Sequence, residues 1–563
     1  MYLRESRQKR ADGSVLTHLQ LAENVWDPEQ RRARVQIVYN CGRGDDPAST
    51  ERLRRLARSI LRRCAPEEIV AANPDWQVVN AWSYGDLYVL EQLWRRLGLP
   101  EVLATVLAGR KFDFDVERAL FAMVANRALA PASKLYCYTQ WLQEDVRIEG
   151  TQALSLQHLY RAMDVLEAQR EAIEQALYYR LADLLNLDVE LVFYDTTSLH
   201  FEVDEADGGC GEHGEVHGSV AAGRKTYQAL RKRGHAKNGR SDVPQIVIGL
   251  AVTSVGVPVR HWIFPGNSVD VTTVAKVKED LKGWQLSRCV FVGDAGMVSK
   301  ANLETLARAG GKYIVCMPIH RGGEVAAEVV TRPGRYQKVA DNLEVKEVTV
   351  GDGERRRRYV VCYNPQEAER QRRHREQVLA ELTAEIEALS TQTGHAHGKR
   401  VCELRASGRY GRYLRFTKTG QPRIDATRLA ELTKLDGKFV VHSNDDTLTA
   451  ADLALGYKQL QRVEQAWRTL KSGLRLRPVY HWAPHRIHAH VSLTILALLL
   501  ERVAEQACGD TWRNIRDDFK RMKLAQLSST NGTVWQVTEP SPDITKRLKA
   551  LQIPKPPPIL ELA

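Results

Sequence analysis

Short, nearly continuous apolar segments between residues 189 and 318 constrain the fold of this chain more than any other feature. Each is about as long as one buried strand and ends at turn or loop residues. The segments are VELVFYD (Val189–Asp195), QIVIGLAV (Gln245–Val252), VPVRHWIF (Val257–Phe264), RCVFVGD (Arg288–Asp294) and KYIVCMP (Lys312–Pro318). Ser254-Val255-Gly256 joins two of them as a hairpin, and Ser299 can N-cap a helix between the last two. The pattern predicts an α/β fold, with a mixed sheet and crossover helices.

Other periodicities flank this sheet. Alternating residues predict a hairpin near the N-terminus, and an arginine-rich helix follows it. Helical spacing dominates from about residue 80 to 185, and one further strand precedes a long helix with a Thr449/Asp452 capping box. The predicted segments are Val15–Leu21 and Arg34–Tyr39 (hairpin), Glu51–Arg63, Tyr88–Leu97, Asp115–Ala128 and Leu154–Leu185 (helices), Gly437–Ser443 (strand) and the long helix to about Ser472.

The charge balance favours a polyanionic partner. Lysine and arginine number 81 against 69 aspartates and glutamates, a net charge of +12, and the sequence pI is near 9.2. Nine scattered cysteines without a CxxC pair indicate reduced, intracellular thiols. The charged N-terminus predicts no secretory signal, and the apolar run Val491–Leu500 is too short to span a bilayer.

Two aspartates follow predicted buried strands, Asp195 before Thr196-Thr197-Ser198 and Asp294 before Ala295-Gly296. Open α/β sheets place their sites at the carboxyl ends of strands. Either aspartate alone could be an ordinary turn residue. Two on one sheet predict a site for a hard divalent cation.

A third carboxylate lies in the predicted long helix. Tyr457, Glu464 and Lys471 are two helical turns apart and would share one stripe. Six basic residues and one acid, Glu464, occur from Lys458 to Arg477. This mixture suits a surface that binds metal and phosphate. The alternative is a solvated basic face with an incidental ion pair.

The ordered motifs YDTTS, FVGDAGMVS and Y-x2-L-x3-E-x6-K resemble the DDE transposases of bacterial insertion sequences. They are most similar to the insertion-sequence four superfamily, whose signature is Y-x2-R-x3-E-x6-K, and VEQAWRTLKSGLRLRPVYHW resembles its glutamate segment. The resemblance implies an RNase H-like catalytic domain interrupted by an insertion. It also implies a metal-binding catalytic triad of Asp195, Asp294 and Glu464 with two Mg²⁺ ions, Mn²⁺ being the alternative. Tyr457 and Lys471 would grip DNA near the cleaved phosphate.

One position departs from that signature. Leu460 stands where the family has arginine, so Arg462 or Arg468 would have to replace that DNA contact. The long interval between Asp294 and Glu464 agrees with an insertion. The predicted regions are a basic N-terminal DNA-binding region (1–75), a helical domain (76–185), the first part of the catalytic domain (186–320), the insertion (321–437), the glutamate-helix part of the catalytic domain (438–505) and a C-terminal tail (506–563).

Residues 221 to 240, within the loop between the first two strands, hold seven basic residues and no acid. It is a candidate DNA-binding segment, with a mobile solvated loop as the alternative. Its cations are Arg224, Lys225, Arg231, Lys232, Arg233, Lys237 and Arg240.

Three other patterns are discounted as functional sites. Cys210, His213 and His217 lack a fourth ligand for zinc. The histidines from His481 to His490 are interpreted as surface or DNA-facing residues. No phosphate-binding loop of the GxxxxGK[ST] type occurs, which argues against ATP use.

These observations predict a transposase that acts on double-stranded DNA, both at the ends of its own element and at the target. We expect it to work as a homodimer when two ends are synapsed, in the bacterial cytoplasm at the nucleoid, without a membrane. One alternative is a catalytically silent, transposase-derived DNA-binding protein. Another is an RNase H-like metal-dependent nuclease that cuts without joining.

Overall fold

A computed structural model describes residues 1–10, 15–28, 30–61, 63, 77–184, 191–207, 215–220, 223–235, 239–284, 289–319, 325–353, 356–391, 394–529 and 532–562. The chain forms two compact units. The first comprises Met1–Ala81, Leu524–Val537 and Pro557–Ala563, and the second Trp82–Lys523 and Thr538–Pro556.

The first unit contains two small sheets and a helix. Strands β1 (Tyr2–Lys9), β2 (Val15–Asp27) and β3 (Arg32–Arg43) form an antiparallel sheet, which confirms the predicted hairpin. Helix α1 (Pro47–Leu61) covers most of the predicted arginine-rich helix. The second sheet has the order β20-β19-β18-β4, so strands from the C-terminal region join a strand from the N-terminal region. Its strands are β4 (Gln77–Ser83), β18 (Lys523–Ser529), β19 (Gly532–Val537) and β20 (Ile559–Leu562).

The second unit begins with helices, as the sequence predicts. The span Leu154–Leu185, predicted as one helix, forms two, because the first ends at its C-cap Gln169. The helices are α2 (Gly85–Arg96), α3 (Leu99–Val106), α4 (Val116–Leu129), α5 (Lys134–Tyr136, continued by the π-helical segment Cys137–Asp145), α6 (Leu156–Ala168) and α7 (Arg170–Leu184).

A nine-stranded mixed sheet organises the rest of this unit and confirms the predicted mixed α/β fold. Its order is β12-β13-β14-β17-β11-β10-β5-β8-β9, with β10 parallel to both β5 and β11. The strands are β5 (Leu191–His200), β8 (Gln245–Val252), β9 (Pro258–Pro265), β10 (Val290–Gly293), β11 (Lys312–Met317), β12 (Gln337–Ala340), β13 (Leu343–Val350), β14 (Arg357–Tyr363) and β17 (Lys438–Ser443). A separate hairpin joins β6 (Glu215–Val220) and β7 (Gly223–Gln228).

The segment between β11 and β17 has two parts. Strands β12 to β14 extend the main sheet, whereas two helices, a short hairpin and a third helix form a small core of their own that includes Val378, Leu382 and Leu404. These elements are α10 (Pro365–Ser390), α11 (Gly394–Ala406), β15 (Leu414–Phe416), β16 (Pro422–Ile424) and α12 (Ala426–Thr433). The boundaries 321–437 stay a prediction, as do those of the other regions.

Helices cover both faces of the main sheet. On one face, Val192 and Tyr194 of β5 share a core with Val274 and Val277 of α8 (Asp270–Gly283). Helix α9 (Lys300–Ala307) begins at Ser299, whose side chain accepts a hydrogen bond from the backbone N–H of Asn302, as the sequence predicts. The remaining helices are α13 (Ala450–Lys458), α14 (Gln461–Arg468), α15 (Pro484–Cys508), α16 (Trp512–Phe519) and α17 (Pro542–Ala550).

Helix α15 is the central apolar element of this unit. By length and composition it could cross a membrane, but 83% of its most apolar window is buried inside the molecule. Leu493, Leu498 and Leu500 are fully buried, and the helix packs against α4, α6 and β9. Its apolar character is therefore accounted for by packing within the fold.

Candidate active site

Asp195 lies on β5, and Asp294 directly follows β10, the adjacent parallel strand. The register pairs Val292 of β10 with Phe193 of β5. Asp294 and Asp195 each come two residues later, so continuing this register one residue beyond the end of β10 places the two aspartates at the same level. Asp294 follows the end of β10, as predicted. Asp195 does not end its strand, because β5 continues to His200 and Asp195 pairs with Leu250 of β8. The predicted position at a strand end therefore holds for Asp294, whereas Asp195 lies in the middle of the longer strand β5.

Side-chain alternation assigns Asp195 to one face of the sheet. Tyr194 belongs to the core beneath α8, and its hydroxyl donates to Oγ1 of Thr273 at 2.9 Å. Asp195 must therefore face the opposite side, together with Leu191. On that side Leu191 lies beneath Gly456 of α13, close enough that an added Cβ at Gly456 would meet its Cδ1 at 3.9 Å. Asp195 consequently shares a face with α13.

A neighbouring carboxylate, Asp270, lies on the other face. It accepts a hydrogen bond from the hydroxyl of Thr196, which alternates with Asp195 along β5. Asp270 therefore belongs to the packing of α8 and is not a third member of this site.

Tyr457 of α13 connects directly with Asp294. Its hydroxyl donates to Oδ1 of Asp294 at 3.1 Å, and its ring packs against Phe439 of β17 with centroids 5.5 Å apart. Burial, reinforced by Cys316 and Asp294, raises the pKa of Tyr457 far above its ordinary value. The phenol stays protonated at neutral pH and acts as a donor to an exposed carboxylate.

Glu464 lies on α14, which packs against β5 and β8. Its side chain is exposed, and the helix buries Val463, Ala466 and Trp467 instead. The third predicted carboxylate is therefore carried by a helix that covers the strand of Asp195.

The predicted single helix to Ser472 is wrong. Helix α13 ends at Lys458, α14 begins at Gln461, and a π-helical turn, Thr469–Gly473, follows. At the break, Leu460 N donates to the carbonyl of Tyr457 at 2.9 Å, three residues back rather than four. Tyr457, Glu464 and Lys471 thus lie on three successive helical segments.

Leu460 occupies this break and is only 6% exposed. It packs into the protein, so it provides no polar contact at a surface. Arg462 and Arg468, the predicted replacements for the family arginine, are both exposed on α14. Where the signature has an arginine, this chain therefore has a buried leucine that packs at the junction of α13 and α14.

The donor chemistry suits a hard divalent cation, since carboxylate oxygens are the preferred ligands of Mg²⁺. Among the residues that the structure describes, however, no three His, Cys, Asp or Glu side chains are grouped closely enough to hold a metal ion. Asp195 and Asp294 are level on adjacent strands, while Glu464 does not close a ligand set with them. The three carboxylates therefore fit the metal by chemical type, and two of them also by their common level at the end of β10.

Comparison with known proteins gives the family. The transposase DDE domain family matches residues 214–500, just over half of the chain. This chain belongs to that family. The matched region contains Asp294 and Glu464, whereas Asp195 lies upstream of it.

The transposase also has a structural match, a cryo-EM structure of the piggyBac transposase synaptic complex with hairpin DNA. The identity is 11%, the coverage is 78% of this chain and 79% of that one, and the TM-score is 0.33. No curated protein matches the chain.

The cations of the basic loop of the transposase differ in exposure and in their partners. Arg231, predicted to contact DNA, is buried and forms an ion pair with Asp207 at 2.6 Å, so its charge is used within the protein. Arg233 is exposed and donates to the carbonyl of Asp204 at 2.8 Å, and Lys232 is half-buried. Arg224 and Lys225 lie on β7, where side chains are outside the described part of the structure, and so is Lys237.

The histidines predicted at the surface are mostly internal. His490 is buried and its ring bonds to the carbonyl of Leu476 at 3.1 Å, and burial lowers its pKa well below the ordinary value. His485 is buried beside Asp164 at 3.3 Å. Both residues belong to the buried N-terminal part of α15. Cys210 and His213 lie outside the described residues, as does the side chain of His217.

One residue that holds the segment after α14 is not among those predicted from the sequence. Arg127 of α4 is buried, and its Nη1 donates to the carbonyl of Arg475 at 3.1 Å. Nearby, burial lowers the pKa of Lys134 to about 7. The only available signal was an arginine within the apolar stretch LFAMVANRAL, because its carbonyl partner lies far along the chain.

Proposed function

We propose that this transposase binds the ends of its own insertion sequence, cleaves them and joins the resulting 3′-hydroxyls to target DNA. The observation that carries the proposal is the level alignment of Asp195 and Asp294 on β5 and β10, beneath the helices that bear Tyr457 and Glu464. A pair of carboxylates on rigid neighbouring strands is a suitable base for phosphoryl-transfer chemistry.

We assign the branch of the DDE transposases from the sequence motifs. The ordered YDTTS, FVGDAGMVS and Y-x2-L-x3-E-x6-K segments support membership of the YREK-signature branch, the insertion-sequence four superfamily. An RNase H-like core is supported by the mixed sheet in which β10 runs parallel between β5 and β11. The elements between β11 and β17 are the candidate insertion.

Asp195, Asp294 and Glu464 would hold Mg²⁺, or Mn²⁺ in its place. Bound there, the ions would activate the attacking oxygen and stabilise the leaving oxygen. The chain's own residues prepare this site: Tyr457 orients the Asp294 carboxylate through its hydroxyl. Lys471, one segment beyond Glu464, supplies a positive charge for the DNA backbone.

Double-stranded DNA is the proposed partner, as transposon ends and as target. Two ends must be brought together, so we propose a homodimer in the synapsed state. The net charge of +12 supports association with DNA in the bacterial cytoplasm at the nucleoid.

The test uses purified protein, a labelled duplex carrying the ends of the element, and either Mg²⁺ or EDTA. Wild-type protein should give nicked and joined products only with the metal. Asp294→Asn and Glu464→Gln should each slow the reaction by at least roughly 10²-fold, the scale of losing one preorganised electrostatic group. Their affinity for DNA should persist.

The rival functions give different results in the same assay. Cleavage without joining identifies a nuclease, and binding without cleavage identifies a silent DNA-binding derivative. A Glu464→Gln variant that cuts at the wild-type rate would refute the role of α14. Asp270→Asn is the matched control, because this carboxylate lies on the other face of the sheet, and it should retain joining activity.

A further inference from the structure

A large cleft of about 1300 Å³ lies beside α14. Its walls come from the end of α4, the turn between β8 and β9, α14, the second half of α15 and the start of α16, all within the second unit. The volume exceeds the roughly 300–1,000 Å³ that is usual for a small-molecule pocket. Gln465 lines this cleft although its neighbour Glu464 does not, so the cleft adjoins the candidate active site without being part of it.

Arginines dominate the charge of the cleft. Four of them are exposed and form no ion pair with any residue in the described part of the chain. These four are Arg462, Arg468, Arg475 and Arg513. Two more arginines, Arg502 and Arg516, line the cleft and are paired.

The acids that line the cleft do not offset these cations. Glu505 pairs with Arg502, and Asp510 pairs with Arg547 at 2.8 Å. Glu501 is 3% exposed, and its burial beside Glu505 raises its pKa well above the ordinary value, which favours the neutral form. The cleft therefore presents a net positive surface.

The walls are fixed by hydrogen bonds between elements. Arg502 Nη2 donates to Thr469 Oγ1 at 2.7 Å, which ties α15 to the segment after α14. Gln506 Nε2 donates to the carbonyl of Val255 at 2.9 Å, which ties α15 to the turn between β8 and β9. The arginines consequently stand on elements that are already in place, and a ligand does not have to order them.

We propose that this cleft binds the phosphate backbone of DNA beside the active site, with Arg462, Arg468, Arg475 and Arg513 as its contacts. Unpaired guanidinium groups on a fixed concave surface match a chain of phosphates, which they can contact through two N–H groups at once. The proposal rests on the proposed function and extends it to a specific surface. It adds Arg475 and Arg513 to Arg462 and Arg468, the two arginines predicted to replace the DNA contact of the signature arginine.

The test measures DNA affinity over a series of salt concentrations in EDTA, so that no cleavage occurs. The probe is a short fluorescent duplex of arbitrary sequence. A plot of log affinity against log salt concentration has a negative slope. For Arg475→Ala/Arg513→Ala this slope should become shallower by about 2, since each lost phosphate contact removes about 0.9 from its magnitude. Arg308→Ala/Arg335→Ala, which removes two exposed arginines outside the cleft, should leave the slope unchanged.

A charge-retaining variant separates loss of contact from loss of fold. Arg475→Lys/Arg513→Lys should keep most of the wild-type slope, because the salt dependence follows charge more than donor geometry. An alanine variant with the wild-type slope would overturn the cleft proposal, even if metal-dependent joining by the wild type upholds the proposed function. Conversely, a reduced slope without any joining by the wild type would uphold the cleft and refute the transposase reaction.

Discussion

At the scale of single residues, the Tyr457 hydroxyl is the most specific feature of the candidate site. It donates to Asp294 Oδ1 at 3.1 Å and stays protonated because burial raises its pKa. Removing it as Tyr457→Phe should cost about 10–100-fold in metal affinity or activity, the usual effect of losing a group that orients a ligand. Single-turnover cleavage measured against Mg²⁺ concentration should show a raised metal requirement.

The control for this prediction is Tyr179→Phe, which removes a hydroxyl that donates to the carbonyl of Trp284 at 3.1 Å. It should leave the metal requirement unchanged. If Tyr457→Phe weakens only DNA binding, Tyr457 acts on DNA directly, and its bond to Asp294 has no catalytic role.

The sequence indicates which residues are candidates at this scale but not what they contact. Asp195 and Asp294 could be predicted because each comes with an apolar strand whose pattern is local. The contact between Tyr457 and Asp294 could not, because it joins residues far apart in sequence. Arg231 shows the same limit: its charge suggested DNA, whereas its partner Asp207 makes it structural.

At the scale of elements, the small hairpin of β15 and β16 contains a conflict of charge. Arg415 and Arg423 are directly opposite each other and both are exposed. Like charges in this position are destabilising, and opposite charges contribute roughly 0.2–1 kcal/mol. Arg423→Glu should therefore stabilise the protein by about that amount in chemical denaturation, and more at low salt.

The reciprocal change provides the control. Arg415→Glu should give a similar gain, whereas the double change to glutamate restores repulsion and should lose it. If each single variant and the double variant are equally stable, the two side chains do not interact.

The break between α13 and α14 shows why element boundaries were only partly predictable. The predicted capping box of Thr449 and Asp452 is confirmed, and it was predictable because it depends on neighbouring residues. The end of α13 depends on packing instead: Gly456 lies against Ile314 of β11, and Leu460 is buried at the junction. Helical periodicity continues through such a junction, so the sequence predicted one helix.

At the scale of the whole molecule, both ends of the chain contribute to the first unit. Strands β18, β19 and β20 complete a sheet with β4, which is separated from them in sequence by nearly the whole second unit. Pairing over such an interval carries no local signal, so the C-terminal strands could not be assigned to this sheet from their pattern. Strands β5, β8, β9, β10 and β11 of the mixed sheet were predictable because each is a short apolar segment with a local pattern. The pairing of β12, β13 and β14 with this sheet was not, because it joins segments that are distant in sequence.

This arrangement predicts a local effect of truncation. Deleting Pro557–Ala563 removes β20, whose Pro558 carbonyl accepts a hydrogen bond from Val537 N at 2.9 Å. The amides of β19 that face β20 should then exchange with solvent faster, because they lie on a new sheet edge. Amides in β10 and β11 should keep their protection, since these strands belong to the other unit. Hydrogen exchange followed by mass spectrometry distinguishes the two sets. Equal loss of protection in β10 and β11 would show that the units do not unfold independently.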